Sequence, residues 1–351
     1  MNILITGGCG FIGSALIRRI LAQTDHCVVN LDSLTYAANP ANLAQVADSP
    51  RYRFLRQDIR ETDALIEVFD THRPDAVIHL AAESHVDRSI EGPLVFSDTN
   101  VTGTASLLHA ARLYWTALDD MMRDAFRFVH VSTDEVFGSL GPSGTFDEHS
   151  PYQPNSPYAA SKAGADMMVR AWHETYGFPA VISNCSNNYG PYQFPEKLIP
   201  VVILSALAGQ PIPIYGDGLN IRDWLFVDDH ADALLRILDR GTPGQIYPVG
   251  GGTECSNIEI VRQICALLDK KSPGPQPYAD QITFVTDRPG HDRRYAINPA
   301  RMAQELDWTA AHAFTDGLET TVDWYLANRA WCRASLERVS ASASLERLGL
   351  V

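Results

Sequence analysis

Asn2-Ile3-Leu4-Ile5-Thr6, followed at once by Gly7-Gly8-Cys9-Gly10-Phe11-Ile12-Gly13, is the stretch whose reading decides the fold. A short apolar run with two isoleucines, cut off by glycine, reads as a buried parallel strand ending in a tight turn. Ser14 to Ala22 then continues with helical apolar spacing. Gly7, Gly10 and Gly13 let the backbone turn sharply, approach a pyrophosphate and pack helix on strand. The helix N-terminus then offers unpaired amides and a positive dipole to phosphate. A glycine triplet alone is equally a plain tight turn, so the residues downstream carry the decision. Cys27 to Leu31 reads as a second strand. It ends in Asp32, close to the ~20-residue spacing of a carboxylate that grips an adenosine ribose. An acid there favours NAD, because a 2′-phosphate would be repelled, although Arg18, Arg19 and Arg51 keep that phosphate in play.

Further strand–helix units follow. Tyr52 to Arg56 is a short strand before Gln57-Asp58-Ile59, where Asp58 either meets the adenine amino group or caps a helix. Ile66 to His72 is amphipathic, and Ala76 to Ala82 reads as a strand entering a turn of small residues that allow close backbone approach to a cofactor. His79 within it reads as a satisfied core histidine rather than a ligand. Pro93 to Tyr114 has helical periodicity, and Phe126 to Val131 is another buried strand. This alternation predicts an α/β fold, a doubly wound parallel sheet of Rossmann type. Ligands should lie beyond the carboxyl ends of the strands, where Gly7, Asp32, Ala81 and Thr133 fall.

After about residue 180 prolines and glycines become frequent, from Pro191 to Gly218, and the rhythm breaks. The expectation is an NAD-binding domain over 1–180 and a smaller, interleaved α+β substrate domain over most of 181–351, with a return to the first around 222–255. Phe226 to Leu238 reads as strand then helix, with Asp228 or Asp229 as cap. Ser256 to Leu268 and Thr315 to Asn328 read as helices and Arg294 to Ile297 as an extended piece. The tail from Ala334 to Val351 shows no pattern.

At 351 residues, with 45% hydrophobic and 20% charged residues, the chain can bury a substantial core. A formal charge of −14 argues against nucleic acid or an anionic membrane as main partner, though not against a small anion held by local arginines. Six cysteines without CxxC or disulfide-like spacing suggest reduced thiols and a cytoplasmic protein. The N-terminus lacks the pattern of a signal peptide, and no apolar run approaches the ~18 residues of a membrane span. The eleven histidines show no metal-ligand spacing.

The chemistry concentrates in Ser132-Thr133-Asp134-Glu135 at a strand end and in Ser156-Pro157-Tyr158-Ala159-Ala160-Ser161-Lys162 opening a helix. Ser156 can cap that helix, Pro157 suits its first turn and Gly177 ends it. Tyr158 and Lys162, four apart, project from one face. The ammonium and the positive helix end should both lower the phenol pKa, making a base that takes a proton from an alcohol while hydride leaves for nicotinamide. Tyr-x-x-x-Lys by itself is often a surface pair, and two acids after a strand are often a cap or a solvated turn.

Together these features resemble the extended short-chain dehydrogenase/reductase family, which includes nucleotide-sugar epimerases, decarboxylases and dehydratases. Along nearly the whole chain the resemblance narrows to the branch that dehydrates dTDP-glucose. It rests on Leu34-Thr35-Tyr36-Ala37, His79 to Ile90, Ser132 to Gly138, Asn187 to Pro200 and Arg288 to Tyr295. The resemblance implies that Tyr158, helped by Lys162 and Thr133, deprotonates the hydroxyl on carbon 4. Glu135 would then remove the proton on carbon 5, and protonated Asp134 would donate to the leaving hydroxyl on carbon 6. Two adjacent carboxyl groups in a dry cleft resist both being charged, which agrees with opposite states.

NAD would be held by Gly7, Gly10, Phe11, Ile12, Gly13, Asp32, Ser33, Leu34, Thr35, Asp58, Ile59, Leu80, Ala81, Ala82, Ser84, Thr99, Tyr158, Lys162 and Asn188. The resemblance assigns the sugar nucleotide to Ser84, Thr133, Asn187, Lys197, Leu198, Pro213, Ile214, Tyr215, Arg222, Asn257, Arg288 and His291. Arg222, Arg288 and His291 suit a diphosphate, or are surface ion pairs; Tyr215 stacks on thymine or is ordinary core. A homodimer through the Pro93–Tyr114 and Tyr158–Tyr176 helices is also implied. The rivals are a 4-epimerase or decarboxylase, which needs no acid pair for elimination, and a catalytically silent NAD-sensing protein.

Overall fold

Alternate residues of one strand serve two different cores, and this makes the sheet doubly wound. Ile3 and Ile5 of β1 (Asn2–Thr6) pack with Leu16, Ile17 and Ile20 of the helix Phe11–Gln23, whereas Leu4 packs with Phe69 and Leu107 on the opposite face. The computed structural model describes residues 1–339; the remainder of the patternless tail lies outside the described residues. In chain order the next strands are β2 (Cys27–Asp32), β3 (Tyr52–Arg56), β4 (Ala76–His79), β5 (Arg127–Thr133) and β6 (Ala180–Cys185). They are followed by β7 (Asn187–Tyr189), β8 (Ile212–Tyr215), β9 (Ile221–Phe226), β10 (Ile246–Val249), β11 (Glu254–Ser256) and β12 (Ile282–Val285).

Seven of them form one sheet in the order β10-β6-β5-β4-β1-β2-β3, every pair parallel. This is the Rossmann-type sheet that the glycine turn and the strand–helix rhythm predict. The order reverses between β1 and β4, so a crevice opens at their carboxyl ends. Register brings Thr6 beside Leu31 and His79, and Thr133 beside Cys185. The turns after five strands therefore converge.

Three local departures from the sequence reading have identifiable causes. Strand β4 stops at His79, because the Ala81 amide is taken by the Thr6 side chain at 3.2 Å and leaves the ladder. The helical segment after Pro93 is interrupted by a π-helical turn, Ser97–Gly103, before Thr104–Thr116 resumes α geometry. Asn100 in that turn accepts from the Glu83 amide at 2.8 Å and donates to Glu83 O and Ser161 Oγ, and π turns of this kind often mark functional sites. Neither Asp228 nor Asp229 caps the helix Val227–Arg240; Asp229 instead accepts from the His312 amide at 3.0 Å.

Beyond Tyr189 a second core forms. β7, β9 and β11 make a three-stranded sheet and β8 pairs with β12. The helices Leu198–Leu207, Asn257–Lys271 and Phe314–Ala327 pack Val202, Ile264 and Leu318 between them. The helix Val227–Arg240 instead packs Leu234 and Ile237 into the core that holds Ile3 and Leu16, and β10 rejoins the large sheet beside β6. Ser256 heads the helix Asn257–Lys271 in a capping box with Glu259. No described helix is long and apolar enough to cross a membrane.

The helix Pro157–Tyr176 begins and ends as its residues dictate: Ser156 Oγ accepts from the Ala159 amide at 3.1 Å, and Gly177 closes it at φ +66°. Replacing Ser156→Ala should lower stability by about 1 kcal/mol. A denaturant midpoint identical to the parent's would show that this cap does not hold the helix.

Candidate active site

At the reversal of the sheet, backbone meets backbone. A Cβ on Gly7 would lie 2.7 Å from the Ala81 nitrogen, and one on Gly13 would lie 2.4 Å from the Gly7 carbonyl. Gly7 also adopts φ +72°, so turn geometry and close approach both require glycine there. The cleft above runs from this turn to the end of β5. It is lined by every cofactor-binding candidate except Leu34, and by Thr133, Glu135, Asn187 and Lys197.

Asp32 is buried, and its two oxygens accept from the Leu34 amide at 2.8 Å and the Cys9 amide at 2.9 Å. Leu34 contributes this amide, at φ +58°, rather than a lining side chain. The arginines that kept a 2′-phosphate in play are engaged elsewhere. Arg18 donates to Asn42 O, Arg19 pairs with Asp232 and Arg51 donates to Leu21, Thr24 and His26 carbonyls. The glycine cradle and a buried carboxylate with no cation beside it among the described residues fit an NAD-type dinucleotide. Asp58 lines the cleft but is bridged by Arg60 at 2.8 Å, and Glu61, not Asp58, stands at the helix N-cap. His79 is a satisfied core histidine, 2.7 Å from Thr6 Oγ1 and 2.9 Å from Thr104 Oγ1.

At the other end of the cleft Thr133 caps a single 3-10 turn, Asp134–Phe137, and its hydroxyl accepts from the Glu135 amide at 3.3 Å. Tyr158 faces this turn. Burial, then the Glu135 charge, raise the phenol well above its ordinary pKa, with Thr133 opposing. This reverses the lowering expected from Lys162, because desolvation of the phenol outweighs it. Lys162 is anchored, its Nζ donating to Val131 O at 2.9 Å.

The two neighbouring acids differ. Asp134 is 1% exposed, its Oδ2 has no partner among the described residues, and burial, Glu135 and Asp223 all push its pKa well up. Burial raises Glu135 too, but Arg288, Arg222 and Lys197 pull it back. Both carboxyls are thus raised, Asp134 well above its ordinary value and Glu135 against the opposing pull of three cations.

The remaining substrate candidates lie outside the cleft lining and form two groups. Asp87 gathers the first, accepting from Tyr215 Oη at 3.0 Å and pairing with Arg288 at 3.2 Å. His291 stands edge-on to the Tyr215 ring, and burial lowers its pKa to about 4, so near neutral pH it is a hydrogen-bonding group rather than a cation. Arg222 is buried, donates to Ile221 O and Asp292 O and stacks 4.4 Å from the Tyr295 ring centre, which is not the exposed ion pair of the bland reading.

In the second group, Pro213 and Ile214 lie in β8, where Ile214 belongs to the second core. Leu198 packs against that core, and Asn257 opens a helix with its amide on Asn220 O. Ser84 and Lys197 meet directly, Lys197 Nζ donating to Ser84 O at 2.9 Å.

Several residues at the cleft lie within the quoted motifs or near them but carry no role assigned from the sequence. Phe194 and Glu196 line it, and Tyr36 Oη donates to Glu196 at 2.9 Å under the guanidinium of Arg88. Behind the catalytic turn Asp166 accepts from Ser132 Oγ at 2.8 Å and Tyr152 Oη at 2.9 Å. Its spacing of four from Lys162 was the available signal.

A family model described as GDP-mannose 4,6 dehydratase matches residues 4–321. The dTDP-glucose 4,6-dehydratase of Neisseria meningitidis serogroup B is 54% identical, over 99% of both chains. The chain belongs to the dTDP-glucose 4,6-dehydratase family. The family member from Streptomyces venezuelae, solved with NAD bound, superposes with a TM-score of 0.87 at 46% identity, covering 95% of this chain and all of that one. The UDP-glucose 4-epimerase of Thermus thermophilus, also with NAD, gives 0.81 at 28% identity, covering 93% of this chain and 100% of the other.

Asp223 of β9 offers a thermodynamic check on the burial behind Asp134. It accepts from the Thr253 amide at 3.2 Å and the Ile297 amide at 3.3 Å, and burial raises its carboxyl from 3.8 to about 6. The folded state thus holds a proton that the unfolded chain has released, and stability falls as pH rises through that window. Relative to the parent, Asp223→Asn should gain roughly 3 kcal/mol between about pH 3.5 and about pH 7. Parallel denaturation curves for the two chains across that range would refute the buried state of this carboxyl.

Proposed function

We infer that this chain catalyses the NAD-dependent dehydration of dTDP-glucose to dTDP-4-keto-6-deoxyglucose. The observation that carries the reading is the buried acid pair, Asp134 and Glu135, in unlike surroundings beside Tyr158 and Lys162: Asp134 faces carboxyl groups, and Glu135 faces Arg288, Arg222 and Lys197. Hydride transfer alone needs the tyrosine and lysine; two further acids, one holding a proton and one lacking it, suit elimination. The full-length likeness to dTDP-glucose 4,6-dehydratases supports the same reading.

Bound NAD supplies the acceptor for the hydride of carbon 4 and its return to carbon 6. The chain's own groups manage the protons. Tyr158 receives the proton of the hydroxyl on carbon 4 as a phenolate, a form that Lys162 and the positive nicotinamide ring of bound NAD would favour against the burial that raises the phenol in the chain alone. Thr133 stands beside it and Lys162 is fixed against the strand end. The ketone so formed acidifies carbon 5, from which Glu135 takes the proton, and Asp134 delivers its proton to the departing hydroxyl on carbon 6; a proton returns to carbon 5 as carbon 6 regains the hydride. The Glu135 side of the cleft carries Arg288, Arg222 and Lys197, which stabilise the carboxylate as base and suit the negative charge of a sugar diphosphate. Cofactor contacts fall to the glycine turn, Asp32 and the Leu80–Ala82 turn, and sugar contacts to Ser84, Asn187 and Lys197.

We further propose a homodimer through the segments 93–116 and 157–176. Large apolar side chains stand exposed on them, among them Leu94 at 81% and Met167 at 46%. Sedimentation should show a stable dimer, and a monomer at all concentrations would reject this assembly. The six cysteines form no disulfide, which supports a reducing compartment.

With dTDP-glucose labelled at carbon 4, the label should appear at carbon 6 of the same molecule in a product lighter by one water. A product retaining its water would sink the dehydratase reading in favour of an epimerase. Glu135→Gln should still develop the absorbance of reduced cofactor on mixing with substrate, while its elimination falls by a factor on the order of 100 or more. Dehydrated product at the parent rate would remove Glu135 from the role of base.

A further inference from the structure

Tyr192 is a non-glycine residue at φ +69°, a conformation that persists only where the surroundings over-determine it. Those surroundings come from the C-terminal helices. Its ring packs 4.4 Å from that of Trp324 and 5.9 Å from that of Trp331, and the Arg18 guanidinium lies 4.3 Å from its ring centre. Gln193 and Phe194, the next two residues, line the cleft, and Gln193 O accepts from Tyr325 Oη.

The helix Arg329–Val339 reaches the opposite wall as well. Trp331 Nε1 donates to Asn42 Oδ1 at 2.9 Å, and Asn42 Nδ2 donates to Cys9 O, inside the glycine turn, at 3.3 Å. The Asn39 amide donates to the same carbonyl at 2.9 Å, while its side chain meets Ser335 Oγ at 3.4 Å. Arg18 closes the circuit, donating to Asn42 O at 2.9 Å from the helix that the glycine turn opens. The two walls touch across the cleft mouth, Tyr36 edge-on to Phe194 at 5.7 Å.

We propose that the helices Phe314–Ala327 and Arg329–Val339 form a clasp that retains the dinucleotide, with Trp331 and Tyr192 as its positioning residues. Neither residue lines the cleft; each holds a segment that does. The inference rests on the dehydratase reading, in which one turnover withdraws a hydride and returns it, so a cofactor lost between the two strands the oxidised sugar. A site for a cofactor that is exchanged every turnover has no such requirement. The strain at Tyr192 and the two hydrogen bonds that link Trp331 through Asn42 to the glycine turn lie where retention has to be built.

Three variants test this, with folding followed by circular dichroism. Trp331→Phe keeps the aromatic packing and loses the N–H; Trp331→Ala loses both; Tyr192→Gly accepts the backbone angle without strain and loses the ring. NAD retained through gel filtration and its release rate into a trap are measured, then turnover with and without added NAD. Release should be roughly tenfold faster in Trp331→Ala and Tyr192→Gly and a few-fold faster in Trp331→Phe, since such changes fall mainly on the off-rate. Turnover should fall without added NAD and return to within about twofold of the parent at saturating NAD, a rise in KM with little loss of kcat. Parent-like release from all three folded variants would overturn the clasp, and so would lost turnover that NAD fails to restore. A parent chain that itself binds no NAD would overturn the dehydratase reading and the clasp with it.

Discussion

One carboxyl group, that of Asp166, ties together the pieces on which the catalytic turn depends. It accepts from Ser132 of β5 at 2.8 Å, from Asn184 of β6 at 3.2 Å and from Tyr152 of the intervening loop at 2.9 Å, and lies 3.1 Å from His130. Asp166 is itself on the helix that carries Tyr158 and Lys162. All of this except Tyr152 is buried, where a polar group without partners costs about 1–3 kcal/mol, so the network rigidifies by being nearly complete. Strand end and catalytic helix are thereby fixed to each other before any substrate arrives. Asn100 does the same on the other side, joining the π turn to Glu83 and to Ser161 of the same helix.

The fold was legible because it follows from local periodicity. Ile3, Leu4 and Ile5 announce a strand buried on both faces, the glycines after them announce the turn, and Asp32 falls where β2 must end. The cofactor side of the site was legible for the same reason: its residues occupy the turns directly after strands, so their positions follow from the strand ends. The substrate side was not. Arg222, Tyr215 and Arg288 come from β9, β8 and the loop after β12, and their meeting depends on how the second core packs. No spacing in the chain encodes that Asp87 will hold Tyr215 and Arg288 together.

Two local readings failed because tertiary contacts won over pattern. The helical period from Pro93 onward carries no sign of the π turn, which exists to bring the Asn100 side chain against the backbone of Glu83. The phenol of Tyr158 was expected low from its lysine neighbour, yet burial and the Glu135 charge move it up. Helical spacing tells which groups are near one another; it does not tell how dry their surroundings are, and dryness sets the sign here.

The same point explains how consecutive residues come to have unlike surroundings. Asp134 and Glu135 share a strand end, a turn and nearly a backbone environment, so nothing local separates them. What separates them arrives from elsewhere in the chain. Asp134 turns into the interior toward Asp223, whose own carboxyl is half-way to being neutral near pH 6, and gains little compensation. Glu135 turns toward Arg288, Arg222 and Lys197, all supplied by the chain beyond residue 190. The overall fold is shared with the structurally similar epimerase. Elimination asks in addition for one proton held and one proton wanted within a single turn. The second core supplies the difference between them, a carboxyl behind one acid and cations before the other.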